Sequence, residues 1–290
     1  MAADKKEIDA LTGTDTTGHD WDGIKELDTP LPRWWLWTFY ATIVWGVGYT
    51  IFYPAWPLVS DATAGILGYT TRGAVAEQIA SAAEAQRVYT DRIAEMELAA
   101  IADDPDLMRF AFSGGAAIFR TNCSQCHGAG AAGVQAAGYP NLLDDAWLWG
   151  GSVEDIHYSI VHGIRNEDDL DARYSEMPAF GADEILTDEE IGEVADYVLS
   201  LSGTVQGTED GAILYAENCA ACHGDNGGGM PEVGAPNLAD AIWLYGGSRD
   251  KVVETITYSR YGVMPAWGLR LTEAQTKQVA LYVHSLGGGE

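Results

Sequence analysis

Apolar residues recur at helical spacing in two similar stretches near the middle and the end of the chain. The first stripe consists of Ile191, Val194, Ala195 and Val198, and the second of Val279, Tyr282 and Val283. Thr187-x-x-Glu190 and Thr272-x-x-Gln275 precede them, and such pairs are typical of a helix start because both side chains satisfy free N–H groups of the first turn. Earlier helices are predicted through Phe112, Ala116 and Phe119 and through Ala212 and Tyr215. The pattern predicts an all-α protein.

Residues 34–53 show a different pattern, a run of 20 residues without a charge. As a helix this run would be about 30 Å long, which is enough to cross a bilayer. Its tryptophans and tyrosines are typical of membrane interfaces. The 33 residues before it are too many for a signal peptide and no small-residue cleavage site follows, so we predict one uncleaved transmembrane anchor. The alternative is a long buried helix of a soluble domain.

The C-terminal two thirds of the chain contain an internal repeat. Pro-Asn-Leu sequences begin at Pro140 and Pro236, 96 residues apart, whereas Met-Pro-Ala sequences begin at Met177 and Met264, only 87 apart. The first copy therefore contains an insertion before its methionine, which we expect to be a solvated loop. Its polar residues are Asn166, Glu167, Asp168, Asp169 and Asp171. A repeat of this length predicts two similar small helical domains, residues 107–203 and 204–290.

All four cysteines lie in two C-x-x-C-H sequences at equivalent places in the repeats. These are Cys123 and Cys126 with His127, and Cys219 and Cys222 with His223. The arrangement is the attachment sequence of c-type haem, in which two thiols bond the porphyrin and the histidine ligates the iron. Two other interpretations fit less well: the pairs are too far apart for one zinc site, and no βαβ pattern surrounds them for a thioredoxin-like dithiol. Two disulfides would leave the histidines unexplained.

The recurring methionines are predicted as sixth iron ligands, one in each copy. We expect His127 with Met177 on the first iron and His223 with Met264 on the second, a ligand pair that raises the haem potential relative to two imidazoles. Met230 is an alternative for the second haem. Bis-histidine ligation would use histidines without a counterpart in the other repeat: His157, His162 and His284. A filled sixth position leaves no open iron, so we predict electron transfer and no catalytic residue.

The charge balance and the haem motifs together suggest where the chain works. Lys and Arg number 16 against 43 Asp and Glu, a net charge of -27. This excess argues against nucleic-acid binding and favours a basic protein partner, although it also suits an exported protein that must stay soluble. Because c-type haem is attached outside the bacterial inner membrane, we place residues 1–33 in the cytoplasm and residues 54–106 outside as a periplasmic linker. An exposed helix over 73–102, ended by Pro105, is predicted within that linker.

Helix pairing also resembles a known fold. Glycines at Gly115 and Gly211 would let the aromatic residues of the late helices approach the early ones, as in class I cytochrome c domains. The resemblance implies that the carbonyl groups of Pro140 and Pro236 hold the axial histidines. Arg165 and Arg260, at nearly equivalent places before the methionines, would neutralise haem propionates or remain solvated.

A more specific resemblance starts near the N-terminus. Residues 22–35, which end in Pro-Leu-Pro-Arg-Trp-Trp, and the Tyr-Pro-Ala-Trp-Pro of residues 53–57 resemble the di-haem subunit, subunit III, of cbb3-type cytochrome c oxidases. The likeness continues through both haem motifs. It implies a membrane complex with a haem-copper catalytic subunit and a mono-haem cytochrome c subunit, in which this chain accepts electrons from a soluble cytochrome c. Oxygen reduction and proton pumping would belong to the catalytic subunit.

Two other functions remain open at this point. A free-standing anchored carrier, or the cytochrome subunit of a periplasmic dehydrogenase, would carry the same two haems. A di-haem peroxidase would need one iron with an open or displaceable ligand, and the paired Met177 and Met264 argue against it.

Overall fold

A computed structural model describes residues 7–203 and 205–289 of the protein. The elements are β1 Thr16–Trp21, β2 Ile24–Leu27, α1 Arg33–Phe52, α2 Thr71–Glu95, α3 Leu98–Ala102, α4 Pro105–Ile118, α5 Ser124–His127, α6 Val153–His162, α7 Asp188–Leu201, α8 Glu209–Asn218, α9 Ala220–His223, α10 Arg249–Tyr258 and α11 Glu273–His284. The chain divides into two compact units between Glu84 and Ala85. Residues 1–6 of the predicted N-terminal segment, and residues 204 and 290 of the second predicted domain, lie outside the described residues.

The first unit begins with a two-stranded hairpin, so the all-α prediction is wrong for this segment. β1 and β2 pair antiparallel, with Trp21 opposite Ile24. Asp22 and Gly23 form the turn with φ values of 53° and 89°. An Asp-Gly pair with positive φ at both residues gives a turn whose twist matches that of the flanking strands. The hairpin therefore follows from a local signal that the helical periodicity concealed.

Helix α1 forms where the membrane anchor is predicted. It covers Arg33–Phe52 and none of its residues is buried. Within the described part of the chain, however, no helix combines the length and the apolar character needed to cross a membrane. The helix is rich in tryptophan, tyrosine, threonine and glycine, which contribute less to mean hydropathy than aliphatic side chains do.

The linker helix differs from its prediction in two ways. It breaks into α2 and α3, and the end of α2 and part of α3 are buried, since Ile93 of α2 and Ile101 of α3 are both 0% exposed. The Lys277 ammonium of α11 donates to the carbonyl oxygens of Ala94 and Met96, at 2.8 and 3.0 Å, and all three residues belong to the second unit. Pro105 begins α4 rather than simply ending a helix, as suits a residue that lacks the N–H group.

The two sequence repeats exchange their helices. α4 packs against α11 and α7 packs against α8, so the first helix of each repeat lies on the last helix of the other. A Cβ atom on Gly115 would overlap the backbone of Gln278 and the side chain of Tyr282, and one on Gly211 would overlap the backbone of Glu193. Residues 107–203 and 204–290 therefore do not form two self-contained domains. The expected approach of an aromatic residue occurs across the repeats at Gly115, whereas Gly211 meets the backbone of the late helix instead.

Each hydrophobic core combines both repeats for the same reason. One core joins residues of α7 to residues of α8 and α10, and its largest members are Phe180, Ile191, Tyr215 and Ile256. A second joins residues of the first repeat to α11, and includes Phe119, Leu142, Ile156 and Val279. A third joins α3 and α4 to Ala274 and Leu281 of α11. The late helices begin as predicted, because Thr187 and Glu190, like Thr272 and Gln275, form complete capping boxes.

Candidate haem-binding sites

The first C-x-x-C-H sequence lies at the end of continuous helical backbone. A π-helical turn, Phe119–Cys123, leads from α4 into α5, whose last residue is His127. The Nδ1 atom of His127 lies 3.2 Å from the carbonyl oxygen of Pro140. A carbonyl oxygen only accepts, so Nδ1 carries the proton and Nε2 is the ring nitrogen left for a metal. Burial lowers the pKa of His127, while the carbonyl group opposes that shift.

The second C-x-x-C-H sequence repeats this geometry. His223 ends α9, and its Nδ1 atom lies 3.0 Å from the carbonyl oxygen of Pro236. Burial again lowers the pKa of His223 against the effect of the carbonyl group. Both prolines thus lie where the class I cytochrome c resemblance implied, and both fix the same imidazole tautomer.

The four cysteines are free in the structure. Burial, with a smaller effect of the neighbouring thiol, raises the pKa of Cys123 and of Cys219 to about 11. A redox dithiol of the thioredoxin kind needs a thiol with a lowered pKa, so this alternative loses support. Within the described ranges no cysteine belongs to a cluster of potential metal ligands; such a cluster occurs at His162, Asp169 and Asp171.

The structure contradicts the expected pairing of histidine and methionine within a repeat. Met177 lines a cavity together with His223 and with both cysteines of the second motif. The Ser259 hydroxyl, also from the second repeat, donates to the carbonyl oxygen of Met177. Met264 instead packs against the core that contains Phe119 and Cys123 of the first repeat. The exchange of helices is the physical reason. Met177 precedes α7, which packs on the first helix of the second repeat, and Met264 precedes α11, which packs on the first helix of the first repeat.

The alternative ligands lie elsewhere. Met230 pairs with Ala235 through its backbone and does not line the cavity of His223. His157 Nε2 is 3.1 Å from the Thr276 hydroxyl, and His162 Nδ1 is 3.1 Å from the carboxylate of Asp169. His284 is the last residue of α11.

The two predicted arginines both line the cavity of His223, but they are not equivalent in the repeat. Arg260 begins an Arg-Tyr-x-x-Met sequence, and the matching sequence of the first repeat begins at Arg173. Sequence reasoning missed Arg173, although this shared five-residue pattern was the signal that would have found it. The two equivalent arginines each form an ion pair with a carboxylate: Arg173 with Asp155 at 2.8 Å, and Arg260 with Glu254 at 3.2 Å.

Two reciprocal aromatic contacts connect the repeats. A Cβ atom on Gly234 would overlap the Trp149 ring, and one on Gly138 would overlap the Tyr245 ring. Both glycines have positive φ, 62° and 71°, and each follows the axial histidine of its own repeat by 11 residues. Both the backbone conformation and the space therefore require glycine there. The loops that follow His127 and His223 are held against aromatic residues of the opposite repeat.

The residues that line the cavity of His223 fit a covalently attached haem. An imidazole, a thioether and two thiols share it, and apolar residues such as Val194, Leu238 and Val252 line its walls. This donor set matches that of c-type haem with histidine and methionine ligands. At the first motif, Cys123 and Met264 contact one core, and His127 has the equivalent proline partner, Pro140.

The helical fold and these two motifs define a protein built of cytochrome c-like elements. Residues 13–60 match the family model of the N-terminal domain of cytochrome oxidase-cbb3, FixP, and residues 111–198 and 206–283 match that of cytochrome c oxidase, cbb3-type, subunit III. The chain is 58% identical to the cbb3-type cytochrome c oxidase subunit CcoP of Cereibacter sphaeroides over 95% of both chains. It is 48% identical to the subunit FixP of Sinorhizobium medicae over 100% of both, and 50% identical to FixP of Azorhizobium caulinodans over 98% of this chain and 96% of that one. The chain belongs to the CcoP/FixP family of cbb3-type cytochrome c oxidase subunits, which confirms the resemblance.

Proposed function

We propose that the chain carries two c-type haems and is the electron-entry subunit of a cbb3-type oxidase. One haem would be bonded to Cys123 and Cys126, with His127 and Met264 as axial ligands. The other would be bonded to Cys219 and Cys222, with His223 and Met177. The shared cavity of His223 and Met177 carries this proposal, because it combines all four protein donors around one space.

The protein residues around each haem would control its potential and keep the iron closed. A bound c-type haem accepts and releases one electron. The carbonyl groups of Pro140 and Pro236 keep each imidazole in the tautomer that presents Nε2, and a neutral thioether at the sixth position favours the reduced iron. The apolar walls exclude water. Arg165 and Arg260 would neutralise propionates of the haem at His223.

In the oxidase the chain would act as a relay without a catalytic centre of its own. A soluble cytochrome c would reduce one of its haems, and the electrons would pass on to the haem-copper catalytic subunit beside the mono-haem subunit. The names of the most similar proteins, each a subunit of a cbb3-type cytochrome c oxidase, support membership of such a complex. The net charge of -27 suits a basic electron donor, since opposite fields raise the rate of encounter.

We also propose that α1 keeps the chain at the bacterial inner membrane, with the N-terminus in the cytoplasm and both haems in the periplasm. Large apolar side chains are exposed along its whole length: Trp34 is 69% exposed, Val44 72% and Phe52 47%. A helix that is apolar on all sides is stable only where lipid or other helices cover it. Covalent haem attachment outside the inner membrane fixes the orientation.

The direct test is affinity purification of the tagged full-length chain from detergent-solubilised membranes. Haem staining, the optical spectrum and oxygen uptake with reduced cytochrome c would then be measured. Two c-type haems that co-purify with b-type haem, copper and oxygen uptake would support the proposal. Two haems without oxygen uptake would favour a free carrier or a dehydrogenase subunit. Strong binding of carbon monoxide or cyanide to the isolated chain would instead favour a peroxidase.

A further inference from the structure

The difference between the two repeats is concentrated in one short segment. Gly163 and Ser259 are 96 residues apart and both end a helix, whereas Arg173 and Arg260 are 87 apart and both begin Arg-Tyr-x-x-Met. Residues 164–172 of the first repeat therefore have no counterpart in the second. We name this nine-residue segment the insertion.

The insertion touches both candidate haem sites. Ile164, its first residue, pairs through its backbone with Met264, the proposed ligand of the first haem. Arg165, its second residue, lines the cavity that contains His223 and Met177. The acidic residues that follow are mostly exposed, as predicted for a solvated loop, and Asp168 and Asp171 are among them. The first two residues of the insertion are the ones that reach the candidate haem sites.

The side chain of Arg165 is held in one position. Its Nε donates to the carbonyl oxygen of Ser175 at 2.7 Å, and its Nη1 donates to the carbonyl oxygen of Gly262 at 3.0 Å. The guanidinium carbon lies 5.3 Å from the centre of the Tyr261 ring. The backbone of Arg165 has a φ of 51°, which is uncommon for a residue with a Cβ. Contacts with both repeats thus fix a side chain whose backbone conformation is unfavourable.

Arg165 differs from the other arginines of the site in its charge balance. Arg173 and Arg260 each pair with a carboxylate, but within residues 7–203 and 205–289 no carboxylate oxygen lies within 4.0 Å of the Arg165 guanidinium. Glu176, which lines the same cavity, acts on the nearby phenol of Tyr174 and raises its pKa. Burial of Arg165 lowers the pKa of its guanidinium, as expected for a cation that lacks a close counter-charge.

We propose that the insertion makes the two haems unequal, because Arg165 raises the reduction potential of the haem at His223 and Met177 and leaves that of the other haem unchanged. The inference rests on the two-haem ligation proposed above. Reduction removes one positive charge from the iron, so a fixed cation in the same cavity favours the reduced form, and low local polarity strengthens the effect. The second repeat has no insertion, so it supplies no counterpart of Arg165 to the first haem.

The test is a redox titration of the full-length chain with both haems attached. A Cys222→Ser background leaves one thioether on the second haem and so separates its absorption band from that of the first. In this background Arg165→Gln is expected to lower the potential of the labelled haem only. Arg165→Lys, which keeps the charge, should retain most of the original potential. Arg109→Gln is the matched control, because that side chain is 75% exposed and should move neither potential.

Several outcomes would overturn the inference. These are an unchanged labelled haem in Arg165→Gln, an equal shift of both haems, or an Arg165→Lys variant that behaves like Arg165→Gln. The last result would mean that the hydrogen bonds of Arg165 matter and its charge does not. If Arg165→Gln fails to assemble, Glu176→Gln tests the same charge balance and should raise the potential of the labelled haem; no rise contradicts the inference. Haem content and oxygen uptake, measured alongside, report separately on the proposed function.

Discussion

Ile164 and Met264 pair through their backbones, each N–H donating to the carbonyl oxygen of the other at 3.0 Å. A residue of the first repeat thereby holds the methionine that the second repeat supplies to the first haem motif. The bond pair is a short piece of antiparallel ladder in a region that is otherwise loop. It positions the thioether through the main chain, without using a side-chain contact.

Loss of one of these bonds should weaken methionine ligation of the first haem. Ile164→Pro removes the N–H donor, whereas Ile164→Val keeps it and is the matched control. We expect the proline variant to lose the methionine–iron charge-transfer band of one haem, in part or completely, while the valine variant keeps both bands. An unchanged spectrum in the proline variant would show that the backbone pair does not hold the ligand.

The crossing of α4 and α11 should tolerate no side chain at Gly115. In Gly115→Ala the new methyl group would meet the backbone of Gln278, which cannot move aside as a flexible side chain would. We expect a loss of about 1–3 kcal/mol in the free energy of unfolding, typical of overpacking, measured by denaturant titration. Gly130→Ala is the control, since no atom lies within 4 Å of the added carbon there. Equal stability of the two variants would contradict the close packing of these helices.

The exchanged ligation can be tested directly. Met177→His should lower the potential of the haem bound at Cys219 and Cys222, because a second imidazole replaces the thioether. When the variant is combined with Cys222→Ser, the haem with one thioether should be the one whose potential falls. When it is combined with Cys126→Ser, the two changes should fall on different haems. The opposite pattern in redox titrations would support ligation of each iron by the histidine and the methionine of the same repeat.

Electron uptake from a basic cytochrome c should depend strongly on salt. The chain has a net charge of -27, and screening of long-range attraction slows encounter as ionic strength rises. Stopped-flow reduction by a basic cytochrome c should therefore slow markedly between low and high salt. Reduction by a small uncharged donor is the control and should change little. A salt-independent rate with the cytochrome would mean that the acidic surface does not steer the donor.

Much of the local structure could be predicted because its causes are local. The capping boxes at Thr187 and Thr272 begin helices where the sequence placed them, since the residues that form each box lie within one turn. The signal of the Asp22-Gly23 hairpin is just as local, but helical periodicity carries no information about a two-residue turn. The charge-free run formed helix α1 as expected, whereas its proposed place in a membrane depends on surroundings that lie outside the chain.

The sequence by itself determined which side chains are candidates for the chemistry: the two C-x-x-C-H motifs and the two methionines follow from residue type and spacing, and the resemblance to class I cytochrome c implied the two prolines. Only the tertiary structure decided which methionine lies with which histidine. Because the repeats are similar, the last helix of either copy offers the same apolar stripe to the first helix of either copy, and pairing within or across repeats buries similar surfaces. Sequence similarity cannot distinguish these pairings. The short connection between α7 and α8 makes consecutive helices neighbours, and the remaining pair, α4 and α11, then closes across the repeats.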